Sequence, residues 1–406
     1  MKKLDARNFT RRGVATSLLG ALLTCLLPTG VAAQTKYMVT DLGALNDLND
    51  TVAGAAAINN GGLVVGQALL SKGPDRPFLW VRGAIFDLGD FGGTGGGAHA
   101  INQRGQVVGE ADAADGSEHA FFWDKGSMLD LQNLGGLGGP TSEANHINAQ
   151  GVVVGFAATD IPDPSFTTGA FASHAFSWSG GAMQDLGTLG GPNSIAIANN
   201  ARGQIVGWSQ IDSNIGIFGI PDLHAATWMN GTIAQLDGLG GPISLAIDVN
   251  DEGVAVGQAF LPFGFPFHAV MWQNGHLSDL DPGPAVDVAS LANGINNHDE
   301  VVGMAIFNDS SSRAVVWQDS VMTDLNALLP SGSGWYLLTA TGVNDMGQII
   351  GNGLLNGELH AFLLTPSSGG GKTDSTGASS AVSISSSTPR WAIWGKSRLR
   401  NRDVAQ

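Results

Sequence analysis

The side chains of this chain that could do chemistry recur at one fixed position of a repeated segment. Histidine fills the position five times and arginine twice: His119, His174, His224, His268 and His360, with Arg76 and Arg313 in the other two segments. Histidine can ligate a metal or accept a proton, whereas arginine cannot ligate a metal and resembles histidine only as a hydrogen-bond donor. The exchange therefore predicts a structural donor that holds a strand in place. Its candidate partner is an aspartate that precedes leucine in most segments, as at Asp130 and Asp185.

Two further histidines and three carboxylates stand outside that position. His99 and His146 lie on the expected first strands of their segments and are the better candidates for a function, although a core or channel-lining role is favoured for both. Glu110, Glu143 and Asp248 lie on or just after strands of different segments. Two converging carboxylates would suit glycoside cleavage, which makes an extracellular glycan hydrolase or lyase the alternative function. Because nothing in the sequence shows that two of them converge, we assign no catalytic residue.

Two loop motifs resemble ligand sites without meeting their requirements. The turn Asn-x-x-Gly, as at 250–253, resembles part of a calcium loop. Calcium needs about six to eight oxygen ligands, and most segments offer one asparagine there. The glycine-rich connections, such as 135–139, lack the following helix and the Lys-Ser/Thr of a phosphate-binding loop. We therefore predict turns in both places, and we expect no metal and no cofactor.

The elements that position these residues follow from a seven-fold repeat. Its marker is an asparagine, with an alanine four residues before it and a glycine seven residues after it. The asparagines are Asn59, Asn102, Asn148, Asn200, Asn250, Asn296 and Asn344. A tryptophan follows in six segments, at Trp80, Trp123, Trp178, Trp228, Trp272 and Trp317, with Leu364 in the seventh. The segments are 43 to 52 residues apart, and a period of this length indicates one supersecondary unit per repeat.

Each unit is predicted to contain four short antiparallel strands separated by turns rich in Asn, Asp and Gly. In the second unit the strands are expected at 98–102, 106–109, 119–123 and 128–131. No part of the repeat region has a convincing 3.6-residue apolar period, so almost no helix is expected. The seventh unit lacks its fourth strand, and the segment 37–43 matches that strand. The predicted fold class is all-β: a seven-bladed β-propeller of four-stranded antiparallel blades, closed by the N-terminal strand.

The chain divides into three parts. Residues 1–33 are predicted to be a signal peptide, because a basic head precedes an apolar run and a small-residue cleavage site. The pair Arg11-Arg12 leaves open a twin-arginine or an ordinary secretory signal. Residues 34–365 form the seven-repeat propeller, and residues 366–406 are a Gly/Ser-rich linker with a basic tail, expected to be disordered. The protein is therefore expected to be exported, to the periplasm or the extracellular space.

Charge restricts the expected partners. Residues 34–365 keep 8 basic and 32 acidic residues, a net charge of −24. A surface this acidic argues against nucleic acid or an anionic membrane as the partner. No segment after the signal is apolar over the length of a membrane span, and the only cysteine, Cys25, falls inside the signal. We expect a monomer without disulfides that binds a protein, a glycan or an apolar ligand.

Several motifs resemble those of a known family. They are His-Ala-Phe at 119–121, 174–176 and 360–362, Ala-Ile-Asn at 57–59 and 100–102, Gly-Gln-Val-Val-Gly at 105–109 and Asp-Leu-Gly-Thr-Leu-Gly-Gly at 185–191. Together they are similar to the HAF-repeat family of bacterial extracellular repeat proteins, over about residues 37–365. The resemblance implies an extracellular location and a repeat, propeller-like fold. It implies no established enzymatic activity for any residue of this chain.

The units differ most in the loop between the second and third strands. The repeat glycine and tryptophan are 23 residues apart in unit three and 21 in unit four, against 13 to 15 in the others. Loops of units three to five carry aromatic residues that we predict form a ligand-binding face: Phe166, Phe171, Phe218, Phe260, Phe263, Phe265 and Phe267. Contiguous exposed apolar surface typically marks an interaction site. The predicted function is therefore a non-catalytic binding or scaffold module, unless these loops bury one another.

Overall fold

The computed structural model describes residues 36–43, 52–68, 75–132, 135–163, 171–216, 219, 221–262, 266–281 and 287–367. The expected signal peptide and C-terminal tail lie outside these residues. The described residues form seven four-stranded antiparallel sheets and a single short 3-10 turn, η1 (Leu325–Leu328). No helix in this part of the chain has the length and apolar character needed to span a membrane. The expected seven-bladed, nearly helix-free propeller is confirmed.

The strands occupy four positions in each blade, counted outward from the axis. The first strands are β2 (Val52–Ile58), β6 (Gly92–Ile101), β10 (Gly138–Ile147), β14 (Ser194–Asn199), β18 (Ser244–Val249), β22 (Asp287–Ile295) and β26 (Trp335–Val343). The second strands are β3 (Val64–Ala68), β7 (Val107–Ala113), β11 (Val153–Pro162), β15 (Ile205–Ser209), β19 (Ala255–Phe260), β23 (Val301–Phe307) and β27 (Ile349–Leu355). Each first strand contacts the first strands of both neighbouring blades, which places it innermost.

The outer half of each blade is a tight hairpin. The third strands are β4 (Arg76–Val81), β8 (Glu118–Asp124), β12 (Phe171–Trp178), β16 (His224–Met229), β20 (Phe267–Gln273), β24 (Ser312–Gln318) and β28 (Glu358–Ser367). The fourth strands are β5 (Ala84–Asp87), β9 (Ser127–Asp130), β13 (Gln184–Asp185), β17 (Thr232–Gln235), β21 (His276–Asp279) and β25 (Val321–Asp324), with β1 (Lys36–Asp41) in the seventh blade.

The N-terminal strand β1 completes the last blade. It pairs antiparallel with β28, from Lys36 opposite Ser367 to Asp41 opposite Phe362, so the seventh sheet has the order β1-β28-β27-β26. Tyr37 is 6% exposed and packs in a core cluster with Phe362. Closure of the ring by the N-terminal strand, expected from the sequence, is therefore present.

The repeat asparagines join each blade to the next. All seven are buried, and the Oδ1 atom of each accepts the backbone N–H groups two and four residues later. The Nδ2 atom donates to the backbone carbonyl of the asparagine in the next blade, as from Asn148 to Asn200 at 3.0 Å. The bond recurs at the other interfaces, and the last, from Asn344 to Asn59 at 2.9 Å, closes the circle. We call this set of bonds the asparagine ring.

The alanine and glycine of the repeat permit a close approach of the first two strands. The glycine pairs with the alanine, and a Cβ on Gly109 would lie 2.0 Å from the carbonyl oxygen of Gly97. A larger residue would therefore push the strands apart. Each first strand is also bulged just after the alanine, as between Ala98 and Ala100 in β6. The bulged residue, His99 in this blade, is left out of the pairing and faces the next blade.

The repeat tryptophans close the outer part of the interfaces between blades. The indole N–H of Trp228 donates to the carbonyl oxygen of Leu186 in the preceding blade at 3.0 Å, and Trp272 and Trp317 make equivalent bonds. The buried clusters likewise draw residues from adjacent blades. Burying one such side chain contributes on the order of 2 kcal/mol, so each interface adds to the stability of the whole ring.

Closure by β1 predicts that neighbouring substitutions in this strand will differ sharply in effect. Tyr37→Ala removes a buried side chain from the last blade and should lower the free energy of unfolding by about 3 kcal/mol. Met38→Ala changes a side chain that is 57% exposed and should alter it by less than about 0.5 kcal/mol. Urea unfolding followed by tryptophan fluorescence measures both. Equal effects of the two substitutions would contradict insertion of β1 into the last blade.

The asparagine ring predicts that the side-chain amide nitrogen contributes to stability in addition to the oxygen that caps the turn. Asn148→Asp keeps the oxygen that caps the turn but places a carboxylate against the Asn200 carbonyl. The loss of a buried hydrogen bond should lower the free energy of unfolding by about 1–3 kcal/mol. The control, Asn230→Asp, lies in an exposed turn with φ 52° that aspartate also tolerates. If both substitutions have the same small effect in urea unfolding, the ring does not stabilise the propeller.

Candidate functional site

The repeated histidine or arginine contacts the repeated acidic position of the same blade. The pairs are His119–Asp130, His174–Asp185 and His268–Asp279 at 2.8 Å each, His360–Asp41 at 3.1 Å, Arg313–Asp324 at 3.3 Å, Arg76–Asp87 at 3.9 Å and His224–Gln235 at 3.0 Å. Each pair ties the third strand to the end of the fourth. Arginine replaces histidine and keeps the contact, which confirms the predicted structural role with an aspartate partner in six blades. In blade four Nε2 of Gln235 donates to His224 Nδ1 instead.

One of these pairs joins the two ends of the propeller. His360 lies on β28 and Asp41 on β1, so their contact fastens the N-terminal strand. The hydrogen bond to Asp41 outweighs desolvation and raises the pKa of His360 above its ordinary value. Desolvation alone would raise the pKa of Asp41, but hydrogen bonds from His360 and the Gly43 N–H lower it below its ordinary value. Both shifts therefore reflect the closed ring.

A different group of ionisable side chains lies on inner strands between blades two and three. Nε2 of His99 lies 2.6 Å from Oε2 of Glu110, and Nδ1 of His99 lies 3.4 Å from Oε1 of Glu143. The Glu110 side chain is 7% exposed, whereas those of His99 and Glu143 are more accessible. One ligand atom from each of the three residues lies within 4.8 Å of the other two. We call these three residues the inner triad.

Local backbone features position the inner triad. The bulge in β6 directs His99 toward blade three, where its Nδ1 lies 3.1 Å from the Ala144 carbonyl oxygen. Because a carbonyl oxygen only accepts, Nδ1 carries a proton there and Nε2 faces Glu110. Gly97 pairs with Glu110, and a Cβ at that position would lie 3.1 Å from Glu110 Oε1. The glycine therefore leaves room for the carboxylate.

The electrostatics of the inner triad favour a charged imidazole. Desolvation lowers the pKa of His99, but the charge and hydrogen bond of Glu110, the charge of Glu143 and the Ala144 carbonyl together raise it to about 10. At neutral pH the ring is therefore an imidazolium between two carboxylates. A general base must be unprotonated at the working pH, so His99 in this state is poorly suited to that role.

The second inner histidine has other partners. Nδ1 of His146 lies 2.8 Å from Oδ1 of Asn199 in blade four. Asp248 accepts two backbone N–H groups, one of them from Ile295 of blade six. Desolvation raises the pKa of Asp248 despite these groups and the charge of His146. Glu143 and Asp248 therefore have separate partners at different interfaces, and their contacts give no support to a catalytic pair.

The long loops of blades three and four carry exposed apolar side chains. Ile161 and Phe171 lie at the two ends of the blade-three loop, and Ile211 and Ile215 lie in the blade-four loop. All four are exposed. Loops between second and third strands emerge on the opposite side of the propeller from the asparagine turns, which connect first and second strands. We call these four residues the apolar loop surface.

A buried amide fastens the two loops to each other. Nδ2 of Asn193, at the start of blade four, donates to Oδ2 of Asp163 at 2.7 Å and to Oε1 of Gln210 at 3.0 Å. Its Oδ1 accepts the Ser173 N–H at 2.9 Å. Asp163 and Ser173 belong to blade three and Gln210 to blade four, so the bases of both loops are held in a fixed relation.

The structure describes three of the seven phenylalanines predicted for the ligand face. Phe171 is 41% exposed and belongs to the apolar loop surface. Phe260 and Phe267 lie in β19 and β20 rather than in the loop between them, and their ring centroids are 5.3 Å apart. Phe260 is 9% exposed because it packs in this strand pair, so it is a core contact and not an open ligand contact. The remaining residues, Phe166, Phe218, Phe263 and Phe265, lie outside the described part of the chain.

Two features of these sites were not recognised in the sequence. The residues predicted for the ligand face were all phenylalanines, so the three isoleucines of the apolar loop surface were not among them. His99, Glu110 and Glu143 were each identified as candidates, but their meeting across one interface was not predicted. Counting from the repeat asparagines places the three at defined positions of units two and three, but which positions meet across an interface depends on how the strands of adjacent blades pack.

Comparisons with known proteins find only distant structural neighbours. No protein-family model and no curated protein matches the chain. Similar solved structures include an acylaminoacyl peptidase from Pyrococcus horikoshii, with 13% identity and a TM-score of 0.46 over 75% of this chain and 49% of the peptidase. A gluconolactonase from Xanthomonas campestris has 9% identity and a TM-score of 0.37 over 82% of this chain and 90% of its own.

A fucoside-bound lectin from Aleuria aurantia has 12% identity and a TM-score of 0.33 over 73% of this chain and 99% of its own. In the comparison with the acylaminoacyl peptidase, this chain spans about half of the peptidase's length. These structures differ in activity, and at such low identities and TM-scores the likeness carries no inference about function.

The His360–Asp41 pair predicts a pH window for the stability of the closed ring. The raised pKa of His360 gives stability that is complete below its unfolded pKa, about 6.5, and is lost as pH rises through the folded value. The lowered pKa of Asp41 gives stability that is complete above its unfolded pKa, about 3.9, and is lost as pH falls through the folded value. Both contributions are therefore complete between these limits.

His360→Arg, which copies Arg313 of blade six, should keep the contact at higher pH. In urea midpoints measured from about pH 5 to pH 9, the original protein should lose stability relative to this variant above about pH 7. His276→Arg, at an exposed position of β21, should show no such divergence. If the urea midpoints of the original protein and of His360→Arg change with pH in parallel, ionisation of His360 does not contribute to the stability of the ring.

Proposed function

We propose that this protein is an exported, non-catalytic binding module that presents the apolar loop surface of blades three and four to a protein partner. The observation that carries the proposal is the exposure of Ile161, Phe171, Ile211 and Ile215 on adjacent loops of one side of the ring. Apolar groups grouped on a loop-bearing face typically mark an interaction site. Export rests on the signal-like N-terminal sequence.

The frame behind these loops supports a binding role. Asn193 fastens both loops through buried hydrogen bonds, and the strands from which they emerge belong to a closed ring. A surface that is already ordered loses less conformational entropy when a partner binds. Variable loops on a constant scaffold are a common place for binding residues. The long loops thus differ in sequence from those of the other blades, while the residues at their ends are held in place by hydrogen bonds.

The chemistry of the surface favours a protein over a glycan. Three of its four residues are isoleucine, which offers no aromatic face on which a sugar ring can stack. Interface cores are apolar and poor in charge. The surrounding propeller is strongly acidic, with a net charge of −24 over residues 34–365. Since complementary charge speeds association, the matching partner has an apolar centre surrounded by basic residues.

The alternative, a glycan hydrolase or lyase that uses inner carboxylates, has weaker support. Glu110 and Glu143 are close to each other, but His99 contacts both and Glu110 is nearly buried. The paired mechanism needs an acid and a carboxylate about 5–9.5 Å apart with the scissile bond between them. An imidazolium that bridges the two groups occupies that space. The geometry therefore favours binding over glycoside cleavage.

The proposal predicts that partner capture depends on the apolar loop surface. A variant with serine at Ile161, Phe171, Ile211 and Ile215 should fold normally, because these side chains are exposed. Quantitative pull-down from the secreted proteins of the producing cells should show at least a tenfold loss of the proteins captured by the original chain. A captured protein is then purified and its Kd measured against both forms. A loss of tenfold corresponds to about 1.4 kcal/mol.

The matched control places serine at Phe86, Leu129 and Val321, which are exposed apolar residues on outer fourth strands. This control should capture the same partners as the original chain. Capture that is lost equally in both variants would indicate general stickiness of apolar surface. Capture unchanged in the loop variant, or binding to a glycan array in place of protein, would contradict the proposal.

A further inference from the structure

The inner triad occupies positions that recur at every interface of the ring. They are the third residue before a repeat asparagine, the eighth residue after it, and the fifth residue before the next repeat asparagine. Residues at these positions also lie close to each other at other interfaces. Asn293 Nδ2 lies 3.4 Å from Thr339 Oγ1 between blades six and seven, and a Cβ on Gly54 would lie 3.5 Å from Asn352 Nδ2 between blades seven and one.

The other six interfaces fill these positions with apolar, amide or small residues. In ring order from blade three they are Asn145, Phe156 and Ile195; Ile197, Trp208 and Leu245; Ile247, Gln258 and Leu291; Asn293, Met304 and Thr339; Thr341, Asn352 and Gly54; and Ala56, Gln67 and Gly97. Between blades two and three all three positions hold potential metal ligands. Since the propeller forms six equivalent interfaces without them, the fold does not require an ionic group at this place.

We propose that His99, Glu110 and Glu143 bind one divalent transition-metal ion between blades two and three. The three residues offer one imidazole nitrogen and two carboxylate oxygens, and these atoms lie within 4.8 Å of one another. A mixed nitrogen and oxygen set suits Zn²⁺ or Mn²⁺. It suits Ca²⁺ less well, because Ca²⁺ takes oxygen ligands and about six to eight of them.

The surroundings of His99 match those of a metal-binding imidazole. Its Nδ1 lies 3.1 Å from the Ala144 carbonyl oxygen, and a backbone carbonyl is a common partner of the nitrogen that does not bind the metal. That bond fixes the ring and leaves Nε2 toward Glu110, at 2.6 Å from Oε2. A tetrahedral Zn²⁺ holds its ligand atoms about 3.3 Å apart, so the two atoms need to separate by less than about 1 Å.

The His99 ring lies against both carboxyl groups, at 2.6 Å from Glu110 and 3.4 Å from Glu143. An ion bound at Nε2 would take the place of the direct contact between His99 and Glu110. The partial exposure of His99 and Glu143 gives the ion and its remaining water ligands a route to the site.

The experiment is isothermal titration of the chelator-treated, dialysed full chain with ZnCl₂, MnCl₂ and CaCl₂ at neutral pH. We expect saturable binding of one Zn²⁺ or Mn²⁺ per chain, with Ca²⁺ weaker. His99→Asn should reduce the affinity at least 100-fold. This variant preserves the fold, because Asn145 and Asn293 occupy the same position and donate to the next alanine carbonyl at 2.8 Å each. Glu143→Gln should weaken binding at least tenfold.

The matched control is His174→Asn, which removes a histidine from an outer pair with Asp185 and should leave the affinity unchanged. Anomalous diffraction from zinc-soaked crystals locates the ion independently of the variants. An ion found at the inner triad supports the proposal. It is overturned if no saturable binding occurs, if His99→Asn binds as tightly as the original chain, or if the ion lies at an outer histidine–aspartate pair.

Discussion

The rest of the structure depends on the hydrogen bond that each repeat asparagine donates to the next blade. The bond runs around all seven interfaces and returns from Asn344 to Asn59. The same side chain also caps its own turn through Oδ1, so the local turn and the contact between blades are formed by one residue. Aspartate lacks the donor and serine lacks the second polar atom, which explains why this position does not vary in the chain.

Closure of the ring follows from that geometry. Each asparagine turn fixes the end of a first strand, and the bulge that precedes it directs one residue toward the next blade. The repeat glycine lets the second strand approach, as at Gly109, where a Cβ would lie 2.0 Å from a carbonyl oxygen. The seventh repeat contains only three strands of its own, and β1 supplies the fourth. The stability of the ring is therefore shared, because each interface depends on the position of the blades on both sides.

Much of this fold could be predicted because its determinants repeat in the sequence. The spacing of asparagine, glycine and tryptophan gave the number of blades, and the unpaired segment near Tyr37 gave the closure. The exchange of His360 for Arg313 at equivalent positions identified a structural contact with aspartate. These inferences hold because the same residue types recur in seven units, so a substitution in one unit does not hide the pattern.

The candidate sites were harder to predict because they arise where the repeat is interrupted. Phe260 was expected on an open loop, but whether a residue near a strand end faces the core depends on where the strand stops. The meeting of Glu110 with Glu143 depends on which strands adjoin across an interface, since the residues are far apart in the alignment of a single unit. The bulge at His99 is likewise a feature of strand pairing, which local sequence does not specify.

The long loops and the inner triad both depart from the repeat, but they affect the interfaces between blades differently. The long loops of blades three and four leave the interfaces unchanged and add surface at their edge, so they alter what the ring can contact without altering the ring. The inner triad instead places ionisable side chains at three positions that the other six interfaces fill with uncharged residues. Two carboxylates in so enclosed a position need a compensating cation. The asparagine bond and the buried core also join blades two and three, so this interface does not depend on the inner triad alone.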